Sequence, residues 1–170
     1  MSWTRVPLCL LFALCMPVMA IAASEADSDS KVTSGLPVPR FASLRSNEVN
    51  MRTGPGTRYP IEWVFKRQGL PVEIIAEYEI WRRVKDSEGA EGWVHKSALI
   101  GKRAALITGS TRDLHESADV KAPVVARLEV GALGQLVSCS KDWCKLKVGD
   151  IKGYLRKTDF WGTKTEEMFD

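Results

Sequence analysis

The sequence predicts an all-β protein assembled from two copies of one unit of about 60 residues. Apolar and polar residues alternate with period two in short runs, turn residues recur every 8 to 12 positions, and no segment carries a sustained helical stripe. The repeat supplies the third observation. Gly69 and Trp81 stand twelve positions apart, as do Gly131 and Trp143, an offset of 62.

The chain has 170 residues, 45% hydrophobic and 26% charged, with a formal net charge of +3. That surplus is too small to mark a nucleic-acid binder by charge. The first element is not part of the fold. Residues 1–5 carry one positive charge and no acid, residues 6–20 are almost unbroken apolar, and Ala20 and Ala22 are small residues two apart, the three-part layout of a secretory signal peptide. The apolar run falls short of the roughly 20 residues a membrane span needs. We therefore expect residues 1–22 to be a cleaved signal peptide, with cleavage near Ala22 or Ala23, no membrane span afterwards, and a periplasmic or secreted product. Neither Cys9 nor Cys15 follows the small residues that a lipid-acceptor cysteine requires.

Residues 23–39 are polar, acidic and rich in Ser and Pro, and read as a disordered linker. The two units follow at 40–101 and 102–162, and an acidic C-terminal tail fills 163–170. Upstream of the paired glycines, residues 49–60 align with 112–123 at an offset of 63; downstream, residues 91–99 align with 152–160 at 61. The drift amounts to two single-residue deletions in turns, where length changes are tolerated. Within the strand after Gly69, alternation points Val72, Ile74 and Ala76 inward and Glu73 and Glu77 outward, with Ile75 breaking the pattern. Leu133, Leu136 and Val137 occupy the same segment of the second unit.

Removal of the leader leaves two of four cysteines, Cys139 and Cys144. They flank a tight turn, so they face each other across a hairpin, and in an oxidising compartment such a pair forms a disulfide. Four residues separate them, so they are not a CxxC redox site, and neither His95 nor His115 lies at a zinc-ligand spacing.

The run from Trp81 through Val84, then Gly92-Trp93-Val94 and Ala98-Leu99, with residues 49–56 (VNMRTGPG) as opening strand and loop, resembles the bacterial SH3-like domain family. The second copy, with Cys139, Trp143-Cys144, Gly153-Tyr154-Leu155 and Phe160-Trp161-Gly162, looks like a cysteine-bearing variety found in exported proteins. The resemblance implies two tandem small SH3-like β-barrels. It also implies a groove lined by a partly exposed tryptophan, with the residue three further on in the core: Trp81 with Val84, and Trp143 with Leu146. Arg52 and Tyr59, beside and within the long loop, are candidates for the opposite wall. Of Trp93 and Val94, and of Tyr154 and Leu155, one in each pair is core.

No catalytic residue, metal ligand or cofactor is assigned. The mature thiols are expected to be oxidised, each histidine reads as a solvated turn residue, and Asp86 and Glu88 read as turn formers. Gly54-Pro55-Gly56-Thr57 lacks the lysine of a phosphate loop, and its glycines are expected to supply unusual backbone angles. Residues 40–101 carry 10 basic and 8 acidic groups and residues 102–161 carry 11 and 7, so the units sum to +2 and +4 between acidic flanks. The expected function is an exported, non-catalytic binding module that docks on a cell-wall peptide or glycan; the alternative is a periplasmic adaptor that holds an envelope protein. Nucleic acid is not expected as a partner.

Overall fold

The computed structural model describes residues 33–170. The expected signal peptide lies outside the described residues. Repeat one comprises β1 (Arg40–Leu44), β2 (Val49–Arg52), β3 (Ile61–Phe65), β4 (Pro71–Tyr78), β5 (Trp81–Lys85), β6 (Glu91–His95), a 3-10 turn at Lys96–Ala98 and β7 (Leu99–Ile100). Repeat two runs β8 (Ala104–Ile107), β9 (Arg112–His115), β10 (Val124–Leu128), β11 (Leu133–Cys139), β12 (Trp143–Val148), β13 (Ile151–Arg156), a 3-10 turn at Lys157–Asp159 and β14 (Phe160–Trp161). The first sheet has the order β3-β2-β6-β5-β4-β1-β7 and the second β10-β9-β13-β12-β11-β8-β14, the same path advanced by seven strands. The all-β class and the duplication are therefore as the sequence predicts.

Each repeat buries its own apolar cluster. Leu44, Met51, Val72, Ile74, Val84 and Val94 fill the first; Ile107, Leu114, Leu136, Leu146, Leu155 and Phe160 fill the second. Val94 and Leu155 are thus the core members of their pairs, while Trp93 and Tyr154 are half-buried. Gly92 and Gly153 precede those aromatics because β6 and β13 cross β2 and β9 closely. A Cβ on Gly92 would lie 2.5 Å from the Met51 side chain, and one on Gly153 2.6 Å from Leu114.

Alternation along β4 fails at one place, and the second unit repeats the failure. Ile74 pairs with Val84 but Ala76 pairs with Arg83, so Ile75 is an inserted bulge residue; Leu136 pairs with Leu146 but Ser138 with Lys145, which makes Val137 the counterpart. The bulge reverses which face later residues occupy. Val137 is accordingly 40% exposed rather than inward, and Glu77, expected outward, has a side chain only 3% exposed.

Residues 33–39 are not the free linker expected of them. Ser34 donates its backbone N–H and its hydroxyl to the Glu77 carboxylate at 2.6 and 2.7 Å, and β1 begins at Arg40, which also pairs with Glu77. The C-terminal segment docks similarly on repeat two. Cys139 and Phe169 exchange backbone hydrogen bonds of 2.7 and 3.0 Å, and Arg103 pairs with Glu167. Between the repeats, Trp161 meets Phe41 edge-on at 5.0 Å and donates its indole N–H to the Pro71 carbonyl at 3.3 Å.

Candidate functional site: two tryptophans flanked by arginine and histidine

Trp81 opens β5 and faces His95, the last residue of β6, across the ladder. The indole is only 7% exposed, so it is not the partly exposed residue expected, yet it stands outside the apolar cluster that Val84 joins. Val84 joins that cluster and Trp81 does not, as their odd spacing along the strand requires. Two further side chains stand at the cleft that it lines. His95 meets it edge-on with centroids 5.6 Å apart, and Arg52, the last residue of β2, lines the same cleft of about 260 Å3 with Thr57 and Asn50.

Arg52 is held by the loop that follows it. Its Nη1 donates to the Thr57 carbonyl at 3.2 Å and to the Tyr59 carbonyl at 2.7 Å. Among the described residues no carboxylate lies within ion-pairing distance of it. Glu48 at the cleft rim pairs with Lys66 at 2.7 Å. His95 accepts the Ser97 backbone N–H at Nδ1, so in the neutral ring the proton sits on Nε2. The cleft therefore offers an arginine, an imidazole N–H and an indole, with its one acid already paired.

Tyr59 does not form the opposite wall. Its ring folds back over its own loop, where a Cβ on Gly54 would lie 2.5 Å from it, and Arg58 stacks on it at 5.1 Å. Gly54 and Gly56 are not among the positive-φ glycines; Gly54 is needed because the ring sits against its backbone. Tyr59 contributes to the site through its carbonyl, which positions Arg52.

Repeat two carries the same three residue types with two exchanged. Trp143 opens β12 and is half-buried; opposite it stands Arg156, whose guanidinium carbon lies 5.5 Å from the indole centroid, and His115 meets its edge at 6.0 Å. His115 occupies the position of Arg52 and Arg156 that of His95. His115 even keeps the Arg52 bond, since its Nδ1 lies 2.9 Å from the carbonyl of Ala122, the counterpart of Tyr59. The histidines are thus packed against tryptophans rather than solvated in turns. The offset of 63 between Arg52 and His115, with 61 between His95 and Arg156, is the sequence signal that could have found them.

The grooves nevertheless differ. Val49 and Ala98 flank the cleft of repeat one, and their counterparts in repeat two are Arg112 and Asp159, which form an ion pair of 3.1 Å across the equivalent space. Near Trp143 the sheet is pinned instead by the Cys139–Cys144 disulfide, whose Cα atoms are 4.1 Å apart in directly facing positions. Among the described residues no group of three or more His, Cys, Asp or Glu could hold a metal ion.

Among solved structures, the chain is similar to NlpC1 from Trichomonas vaginalis, at 10% identity and a TM-score of 0.35 over 78% of this chain and 49% of that one. It is also similar to NlpC2 from the same organism, at 9% identity and a TM-score of 0.35 over 75% of this chain and 49% of that one. The chain spans about half the length of these structures. No curated protein matches it. The bacterial SH3 domain family matches residues 45–101 and again residues 114–162, one match for each sheet and its Trp-Arg-His set. With both repeats accounted for in this way, the chain belongs to the bacterial SH3 domain family.

Proposed function

We propose that this chain is an exported, non-catalytic binding module that docks on peptidoglycan or another cell-envelope component through the cleft of repeat one. The observation that carries the reading is the Arg52–Trp81–His95 cleft, where a guanidinium with no carboxylate partner among the described residues and an imidazole N–H stand beside an indole. Such a set suits an extended peptide or glycan bearing carboxylates, because the charged bond to the guanidinium fixes orientation and the imidazole N–H adds a second donor, while the buried indole backs the cleft. The leader sequence supports export, and the disulfide supports an oxidising compartment. The disulfide also consumes both thiols of the mature chain, leaving no cysteine nucleophile.

Co-sedimentation with purified cell-wall sacculi tests the proposal, with a pull-down from periplasmic extract run beside it. Arg52→Ala combined with His95→Ala spares the apolar core and should weaken attachment to sacculi at least about tenfold, a loss of about 1.4 kcal/mol. The counterpart pair, His115→Ala with Arg156→Ala, should leave attachment to sacculi unchanged. Undiminished sedimentation of the first variant would place docking elsewhere. Capture of one envelope protein from extract, with no attachment to sacculi, would replace cell-wall docking by the adaptor role.

A further inference from the structure

A second cleft, of about 320 Å3, opens beside Trp143 in repeat two, and its composition differs from that of the first. Its wall carries Lys157, only 8% exposed, whose ammonium donates to the carbonyls of Thr165 and Glu167 at 2.9 and 2.6 Å. An ammonium has three protons. The third has no protein acceptor among the described residues, and no carboxylate there lies within ion-pairing distance of Lys157. A buried cation without a counter-ion is costly to keep, and an incoming anion relieves that cost.

The neighbours of Lys157 define the anion. Arg156 lines the same cleft with its guanidinium over Trp143, and the exposed Lys141 stands at its edge. Asp142 is the single acid in the lining, so the formal balance of Lys141, Arg156 and Lys157 against it is 3 − 1 = +2. Thr158 and Thr165 add hydroxyls, which can donate to an oxyanion. None of this is imposed by the fold. In repeat one the counterparts of Lys141, Asp142 and Arg156 are Glu79, Ile80 and His95, and the counterpart of Lys157, Lys96, is exposed.

We propose that this cleft binds a phosphate dianion, held by Lys157 and Arg156, either free or esterified to a sugar that rests beside Trp143. It is a site separate from the repeat-one groove and stands or falls independently of docking there. Two positive charges in excess match a dianion better than a single carboxylate. The threonine hydroxyls serve the additional oxygens of a phosphate.

Backbone-amide NMR titration of the full mature chain with sodium phosphate and with glucose 1-phosphate, at constant ionic strength against sodium chloride, tests the assignment. Saturable shifts should be confined to residues 141–143, 156–158 and 165, in the millimolar range. Lys157→Met should abolish them, but it also removes two bonds to the C-terminal segment. The exposed pair Lys141→Ala with Arg156→Ala therefore decides, and should raise the dissociation constant at least about tenfold. Tighter binding of glucose 1-phosphate than of phosphate assigns the ester, and equal binding assigns the free ion. Shifts that do not saturate, that chloride reproduces, or that survive unchanged in the double variant would overturn the proposal.

Discussion

Glu77 and Arg82 face each other across β4 and β5 at the register that Cys139 and Cys144 hold across β11 and β12. Repeat one thus ties its hairpin by charge where repeat two ties it covalently. The Arg82 Nε lies 3.1 Å from a Glu77 oxygen, with side-chain exposures of 8% and 3%, and Arg40 and Ser34 add further donors to the same carboxylate. Burial alone would raise the Glu77 pKa. The hydrogen bonds from Ser34 and Arg40 and the Arg82 charge outweigh it and hold the group at about 2. Removing one partner of a buried pair strands the other, so Glu77→Gln should destabilise repeat one by about 3 kcal/mol. Thermal melts of the variant would check this; a change within about 0.5 kcal/mol, the range of ordinary surface substitutions, would mean that the pair is solvated. The importance of Glu77 was not legible in the sequence, because a glutamate at an alternating strand position reads as outward-facing. Trp81 was half legible. Alternation separated it from Val84, but Arg52 and His95, which line the cleft with it, lie 29 residues earlier and 14 later, on other strands.

At the scale of the element, the hairpins show why strand pattern is a good guide to class and a poor one to facing. Val72, Glu73 and Ile74 of β4 alternate, and one bulge at Ile75 reverses the remainder; the same insertion at Val137 displaces that side chain to the surface. A bulge leaves no fixed mark in composition. The disulfide was legible because it depended on the turn, which lies beyond the bulge and has its own spacing. If the two hairpins are equivalent at that position, Glu77→Cys with Arg82→Cys should close a second cross-strand disulfide on oxidative refolding. Mass analysis after thiol blocking would show two bridges in the product. Two free thiols at 77 and 82 would show that the charged hairpin is wider than the cystine one. Tyr59 failed for a related reason: whether a loop aromatic faces a groove or its own loop depends on backbone clearance, here the absence of a Cβ on Gly54.

Over the whole molecule, the two cross-strand ties respond to different solution conditions, and the terminal segments are attached to them. Residues at the N-terminal side of β1 bind the Glu77 carboxylate, and Phe169 bonds to the backbone of Cys139. A glutamate that titrates near 2 when folded and near 4.3 when unfolded carries fewer protons in the folded state between those values. Its contribution is therefore complete above about pH 5 and is lost as the pH falls toward 2. Repeat two has no equivalent carboxylate in its hairpin. The Arg103 bond does hold Glu167 below the usual carboxylate range, so acid should also loosen residues 163–170, but that contact ties a tail and not the strand pair. Reduction acts in the opposite sense. Opening a short-loop disulfide costs about 2 kcal/mol, all of it within β11 and β12. Hydrogen exchange read by mass spectrometry should accordingly show peptides from 71–85 losing protection first when the pH is lowered from about 5 to 3. Peptides from 133–148 should lose it first when reductant is added at neutral pH. The contacts between the repeats work against this order, Trp161 with Phe41 and Pro71 and Arg67 with the Gly131 carbonyl among them, because a strong coupling there would make the two repeats open together. Simultaneous loss of protection in both repeats under both conditions would show that the pair unfolds as a single unit. The two ties would then be redundant rather than separate controls.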